Sequence, residues 1–377
     1  MVFYFLSYFL FFILSITNLN SNKRLRYFLY TILGLFLCFG FFCGSDWRSY
    51  EIFYNDIKYK DFSNLKYYEE FGFTLYMKLF SSLNIDFWDF TVITKSLCYI
   101  VFIATIEKYL NKFSSIAIMY FVPCFGFYLF IDCPFRNLIA ITIFLLSIKY
   151  LIQKKKLIYI SFICLAATFH FSAFIFFLLP FLFEKKISSK IWIILFITIY
   201  ILFTPEFIKP IIRLIGNIVP YVELKFNGYV GNDSEFASGK IFSIGMLIPI
   251  VFFILFVKYR KSIEDNKLGI PIFNMTMLYL LFYRLAVSIE IFYRFQLYVS
   301  LFFCIAMVLL LLAIKKSMRT FCILAYFLIA SIGMLKLTSD YRYIPYTSYI
   351  PYIFTDYPTY EYRSSYNFIN SPYATRH

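Results

Sequence analysis

Long apolar runs separated by short polar clusters repeat along the chain from Met1 to Ile332. They fall at residues 1–17, 27–43, 88–106, 115–130, 137–152, 191–203, 241–257, 268–283, 296–314 and 320–336. Runs of this kind predict transmembrane helices, because a helix rises about 1.5 Å per residue and the hydrocarbon core is about 30 Å thick. The shorter runs predict helices that end within a protein-lined vestibule. One further apolar stretch, 157–183, lies between Lys154-Lys155-Lys156 and Lys185-Lys186. Two helices of about 13 residues, each roughly 20 Å long, carry it into the membrane and back, with His170, Phe171 and Ser172 at the tip. A single long span with His170 midway is the alternative, and it inverts everything downstream. The expected fold is an all-α polytopic membrane protein of about 10–12 transmembrane helices, forming one membrane-embedded domain over residues 1–377.

Charge sets the orientation of this pattern. Six short segments, 21–26, 107–113, 149–156, 184–190, 258–267 and 315–319, hold the whole net charge of +15. The remainder of the chain balances, so the basic excess is the positive-inside signature of cytoplasmic loops and not a nucleic-acid surface. The run Met1–Thr17 is followed, not preceded, by its first cations, Lys23, Arg24 and Arg26. It therefore reads as an uncleaved first span, with both termini of the chain outside. The polar segments left for the outer face are 44–87, 131–136, 204–240, 284–295 and the tail from Leu337.

Composition narrows the function classes. With 61% hydrophobic and 15% charged residues, no soluble domain fits, and the longest polar segment is too short for a Rossmann-type catalytic domain. The 52 Phe and 35 Tyr invite a sugar-stacking account, but AT-rich coding sequence explains most of them more simply. No Walker loop, dinucleotide fingerprint or internal repeat is present. The eight cysteines lie mostly inside apolar runs without metal-ligand spacing; Cys43 and Cys133 both approach the outer face, where a disulfide is chemically feasible. Pro205, Pro210 and Pro220 bracket an apolar piece with Lys209 and Arg213, which reads as an interfacial helix.

Chemistry must therefore come from loops and helix ends. Only His170 and the terminal His377 are histidines, so neither a His-rich metal site nor a serine-hydrolase triad assembles easily. His170 in an apolar hairpin is either a functional ionisable group or a neutral imidazole bonded to a backbone carbonyl at the turn. Arg136 follows Asp132-Cys133-Pro134-Phe135 at a predicted helix start, with Asp132 as cap and Pro134 in the first turn. A guanidinium beside free helix N–H groups binds phosphate; the alternative is an arginine snorkelling to lipid headgroups. Arg284, Glu290 and Arg294 fall in a predicted short outer loop, where the arginines either grip a pyrophosphate or pair with Glu290. The first outer loop offers Gly44-Ser45-Asp46-Trp47-Arg48-Ser49-Tyr50 and Glu69-Glu70-Phe71-Gly72, acids beside aromatics that suit sugar hydroxyls and ring faces.

Taken in order, these features resemble the EpsG-like and Wzy-like polymerases of bacterial exopolysaccharide, capsule and O-antigen. The matching pieces are Gly44-x-Asp46 with Tyr50 and Tyr54; Glu70-x-Gly72; Phe135-Arg136-Asn137-Leu138-Ile139-Ala140; Ala167-Thr168-Phe169-His170-Phe171-Ser172-Ala173; and Tyr293-Arg294 before a late span. Asn137 stands where the family commonly has Gln. The resemblance implies transfer of a growing glycan from undecaprenyl pyrophosphate to a hydroxyl of the next lipid-linked repeat, at the outer face of the cytoplasmic membrane. It implies His170 as base, Arg136, Arg284 and Arg294 as cations for the pyrophosphate, and Asp46 and Glu70 as positioning groups or alternative bases. Arg48, Tyr50 and Tyr293 join the substrate-binding set. Neither a metal nor another cofactor is called for, the partners are the lipid-linked oligosaccharide, the bilayer, a flippase and a chain-length regulator, and nucleic acid is not among them. Two rivals stand beside this reading: a flippase for the same lipid-linked sugars, against which the chain shows no related halves, and a membrane acyltransferase, which also uses a lone histidine.

Overall fold

The computed structural model describes residues 1–60, 70–204, 244–289 and 292–373, with isolated positions at 207, 210, 214 and 217. Most of the interfacial piece 205–220 and of segment 204–240, together with Glu69, Glu290 and His377, lies outside the described residues. In chain order the main elements are α1 Val2–Ile16, α2 Lys23–Cys38, β1 Gly40–Phe41, α3 Trp47–Ile57, α4 Phe71–Ser82, α5 Phe87–Leu110, α6 Ser114–Phe121, α7 Phe135–Ile152 and α8 Lys156–Phe169. There follow α9 Leu179–Leu182, α10 Ser189–Leu202, α11 Ile244–Lys258, α12 Arg260–Glu264, α13 Gly269–Ser288, α14 Tyr293–Ala313, α15 Lys316–Thr338, β2 Thr347–Ser348 and α16 Tyr360–Asn370. Among the described residues, five helical stretches are long and apolar enough to cross a membrane: Phe87–Gly126, α7, α13, α14 and α15. Five shorter apolar helices accompany them. The protein is an all-α polytopic membrane protein, as the hydropathy pattern predicts.

The chain divides into two compact units, Met1–Phe177 with Ile314–His377, and Leu178–Ala313. In the second unit, Asn274 Nδ2 donates to Leu182 O at 2.6 Å and Lys185 O at 2.9 Å, closing the turn after α9. Arg284 belongs to the last turns of α13 and not to a loop, and Tyr293 and Arg294 open α14. The predicted loop 284–295 is thereby corrected: the helices run further, because Arg284 is fully buried and finds Tyr200 O at 3.1 Å and Ser288 Oγ at 2.9 Å.

The first unit carries most of the chemistry-bearing residues. α7 and α8 form a hairpin through a tight turn with Lys154 in the left-handed region. α8 stops at His170, which is extended, and a 3₁₀ helix runs back over Phe171–Leu178. Tyr159 Oη donates to Phe176 O at 2.8 Å. In one continuous span those residues would lie about 25 Å apart, so the chain turns back at His170 as the lysine clusters predict. The predicted span 115–130 is α6 followed by two π-helical turns, Val122–Gly126 and Tyr128–Asp132, ending at Cys133 with φ 57°. Pro123 removes one backbone donor within this irregular stretch.

The predicted span 27–43 is shorter than its apolar run. α2 starts at Lys23, where the Asn22 side chain accepts from Leu25 N at 3.2 Å, and ends at Cys38. Beyond it Gly40 and Phe41 pair antiparallel with Ser348 and Thr347 of the C-terminal tail. A second tie holds that tail: Arg363 of α16 donates twice to Glu51 of α3, at 2.7 and 2.8 Å, amid Trp47, Trp88, Tyr357 and Tyr360. Both ionic side chains are almost fully buried, so removing one leaves the other uncompensated. Arg363→Met is expected to cost about 3–5 kcal/mol, read as a lowered Tm of the purified protein in detergent. The double change with Glu51→Leu should recover much of that loss.

Candidate functional site

Two close backbone approaches in the first unit bring distant residues to one place. Gly44, at φ +84°, lies against the end of the π-helical stretch, where a Cβ would come 2.6 Å from Asp132 O. Only glycine fits there, and it aims α3 so that Tyr50 packs edge-on against Phe73 of α4 and Phe135 of α7. Gly72 plays the same part at the start of α4, since a Cβ there would strike Thr168 Oγ1 and Cβ at the end of α8. This close approach sets Glu70, just before α4, beside His170, just after α8.

The result is a chain of four polar side chains. Glu70 Oε1 lies 2.6 Å from His170 Nδ1, and Glu70 Oε2 lies 2.7 Å from Arg136 Nη1. Arg136 Nε donates to Tyr50 Oη at 2.9 Å, and its guanidinium sits 5.8 Å from the Tyr50 ring centroid. Glu70 and His170 are nearly enclosed, whereas the Arg136 side chain is 35% exposed, so the cation is the member open to an incoming anion.

Burial pushes the Glu70 carboxyl up, but the imidazole of His170 and the guanidinium of Arg136 outweigh it and hold the group below the usual carboxylate range. Such a group contributes stability that is complete above its ordinary value, 4.5, and is lost as pH falls through the depressed native value. The gap in Tm between wild type and Glu70→Gln should therefore narrow as pH falls below 4.5 and the carboxyl takes up its proton.

α7 begins where the sequence predicts, but Asp132 does not cap it. Pro134 holds the cap position and no side chain caps the helix. The left-handed Cys133 turns Asp132 away, toward Ser45 N at 2.9 Å, Arg342 Nη1 at 3.3 Å and Tyr343 Oη at 3.3 Å. Arg342 also pairs with Asp340 at 2.6 Å, and its guanidinium is held charged against burial by both carboxylates. This knot of Asp132, Arg342 and Tyr343 lies outside the candidates that the sequence offers. The one signal for it is the Tyr343-Ile344-Pro345-Tyr346 motif beside it.

The other predicted site residues stand as follows. Asp46 holds the cap position just before α3, one turn ahead of Tyr50, and accepts from Ser45 Oγ at 3.3 Å. Arg48 directs Nε and Nη2 to Ser364 O at 3.2 and 3.1 Å and Nη1 to Gly44 O at 2.9 Å, so its donors brace the tail. Arg284, Tyr293 and Arg294 belong to the second unit. All eight cysteines, Cys43 and Cys133 included, are free. Among the described residues no group of three or more His, Cys, Asp or Glu could hold a metal ion.

Fold and cluster together define a multi-pass membrane protein whose polar chemistry gathers at helix ends. A model of the EpsG family matches residues 23–354, and the chain belongs to that family, among the membrane proteins of polysaccharide biosynthesis. No curated protein and no solved structure matches it.

Proposed function

We propose that this protein is a polysaccharide polymerase of the bacterial cytoplasmic membrane, with both termini and the site at the outer face. It transfers a growing glycan from undecaprenyl pyrophosphate to a hydroxyl of the next lipid-linked repeat. The observation that carries this reading is the Glu70 carboxylate bridging His170 and Arg136. A carboxylate on Nδ1 fixes the imidazole tautomer and makes Nε2 the basic nitrogen. The acceptor hydroxyl then loses its proton to Nε2 as its oxygen bonds to the anomeric carbon. The bond from that carbon to the pyrophosphate oxygen breaks, and the electron pair leaves with the undecaprenyl pyrophosphate. Arg136, with the uncapped N–H groups of α7, holds the charge that develops on this leaving group.

Within this mechanism Glu70 orients and does not accept the proton, since its two oxygens are already engaged by His170 Nδ1 and Arg136 Nη1. Tyr50 steadies the guanidinium, and Asp46 accepts a hydrogen bond from a sugar hydroxyl. Of the two second-unit arginines, Arg294 stays a candidate cation for pyrophosphate, whereas the fully buried Arg284 is engaged by Tyr200 O and Ser288 Oγ. Family membership and the membrane fold support the reading; the reaction is tested in cells. Deleting the gene in a strain without a redundant polymerase should leave surface glycan carrying a single repeat in place of a ladder of lengths. Loss of all surface glycan, with lipid-linked repeats stranded inside, would mark a flippase, and an unchanged ladder lacking acyl groups an acyltransferase.

A further inference from the structure

The first unit has a groove that the cluster does not use. One cavity, of about 200 Å³, is lined by Tyr54, Asn55 and Lys58 from the end of α3 and by Asn84, Ile85 and Asp86. A second, of about 580 Å³, shares the Asn84-Ile85-Asp86 wall and continues to Asp89 and Ile93 of α5, Phe39, Tyr349 and Ile353. The larger is within the size range of small-molecule sites. Its walls are well fixed: Asp86 Oδ1 caps α5 through Trp88 N at 2.8 Å, Tyr54 Oη donates to Ile85 O at 2.9 Å, and Tyr349 Oη donates to Asp89 Oδ1 at 3.2 Å.

The lining is the kind that recognises sugars. Carboxylates and amides at Asp86, Asp89, Asn55 and Asn84 offer acceptors and donors for hydroxyls, while Phe39, Ile93 and Ile353 offer apolar surface to ring C–H faces. Two carboxylates against the single Lys58 disfavour an anionic chain. α3 joins the groove to the cluster, because Tyr50 and Tyr54 lie one turn apart on one helix face, about 6 Å along its axis.

We propose that this groove is a binding track for a neutral glycan chain, holding the polymer beside the cluster between additions. The proposal rests on the polymerase reading for its biological sense, but its test does not. Asp86 caps a helix, so the variant of choice is Ile93→Trp, at an exposed position where a bulky ring fills the groove. The probe is neutral oligosaccharide released by mild acid from the producing cells' own polymer, titrated against the full chain purified in detergent. Wild type and Arg136→Lys should bind alike, and Ile93→Trp at least tenfold more weakly. In cells, Ile93→Trp should shift the glycan ladder to short lengths while single additions continue. Equal binding by wild type and Ile93→Trp overturns the track, as does equally tight binding of polygalacturonate oligomers. Failure of the polymerase reading shows differently, in the deletion strain, as an unchanged ladder or as loss of all surface glycan.

Discussion

Replacing His170 with glutamine should lower polymer formation by roughly 10²–10⁴-fold, the range spanned by loss of a general base, with protein level and membrane insertion unchanged. Glutamine keeps a polar group of similar reach beside Glu70, so it tests proton transfer apart from hydrogen bonding. The imidazole is held at 2.6 Å by a carboxylate that the hydrogen bond from this imidazole and the Arg136 guanidinium keep ionised against the pull of burial. An amide cannot take a proton from a hydroxyl, whatever its placement. His170→Ala should be no worse than His170→Gln. Ladder lengths and in-membrane incorporation of labelled repeats measure the effect, and near-normal polymer with glutamine would move the base elsewhere, to Asp46 first.

The second large effect is expected from Arg136→Lys, which keeps the charge and removes the fork. Arg136 reaches Tyr50 through Nε and Glu70 through Nη1 at once, and a lysine ammonium cannot span both while presenting a further donor outward. Polymer should fall about tenfold or more, because bidentate grip on a pyrophosphate is lost together with the pose of Glu70. Lysine at equal protein level with an unchanged ladder would leave Arg136 as a lipid-headgroup anchor. The pairing of Arg136 with Glu70 also couples the two experiments: the double variant with His170→Gln should be far less than multiplicative, as expected of groups that share one partner.

Much of this arrangement is written in the order of residues alone. Apolar runs and the location of basic residues define the helices because the bilayer admits few alternatives for a backbone without water. Lysine clusters on both flanks of a 27-residue stretch suggest the return of the chain at His170 but leave one long span open, and the contact of Tyr159 with Phe176 decides between them. The motif pieces Glu70-x-Gly72, Phe135-Arg136 and Phe169-His170 are legible singly. Their meeting is not, because it depends on Gly44 and Gly72 allowing two backbone approaches between segments far apart in sequence. Asp132 has the spacing of a cap, yet its actual partners, Ser45, Arg342 and Tyr343, are up to 211 residues away, beyond the reach of any local pattern. Arg284 has the look of a loop residue because a charge near an apolar boundary reads as the end of a span, whereas backbone carbonyls and Ser288 let the helix continue past it.

The ties between the C-terminal tail and the first outer segment bear on how the protein comes to be made. Gly40 and Phe41 pair with Ser348 and Thr347, Asp132 meets Arg342, and Glu51 waits for Arg363. Glu51 and Arg363 stand 312 positions apart, so the last of these partners exists only after everything between them has been made. Until then α3 lacks its buried counter-ion and the turn at Gly44 lacks the Arg342 carbonyl that accepts its N–H at 2.8 Å. Closure of the tail is therefore a late step of folding, completed after α3 and the turn at Gly44 have been made without their partners.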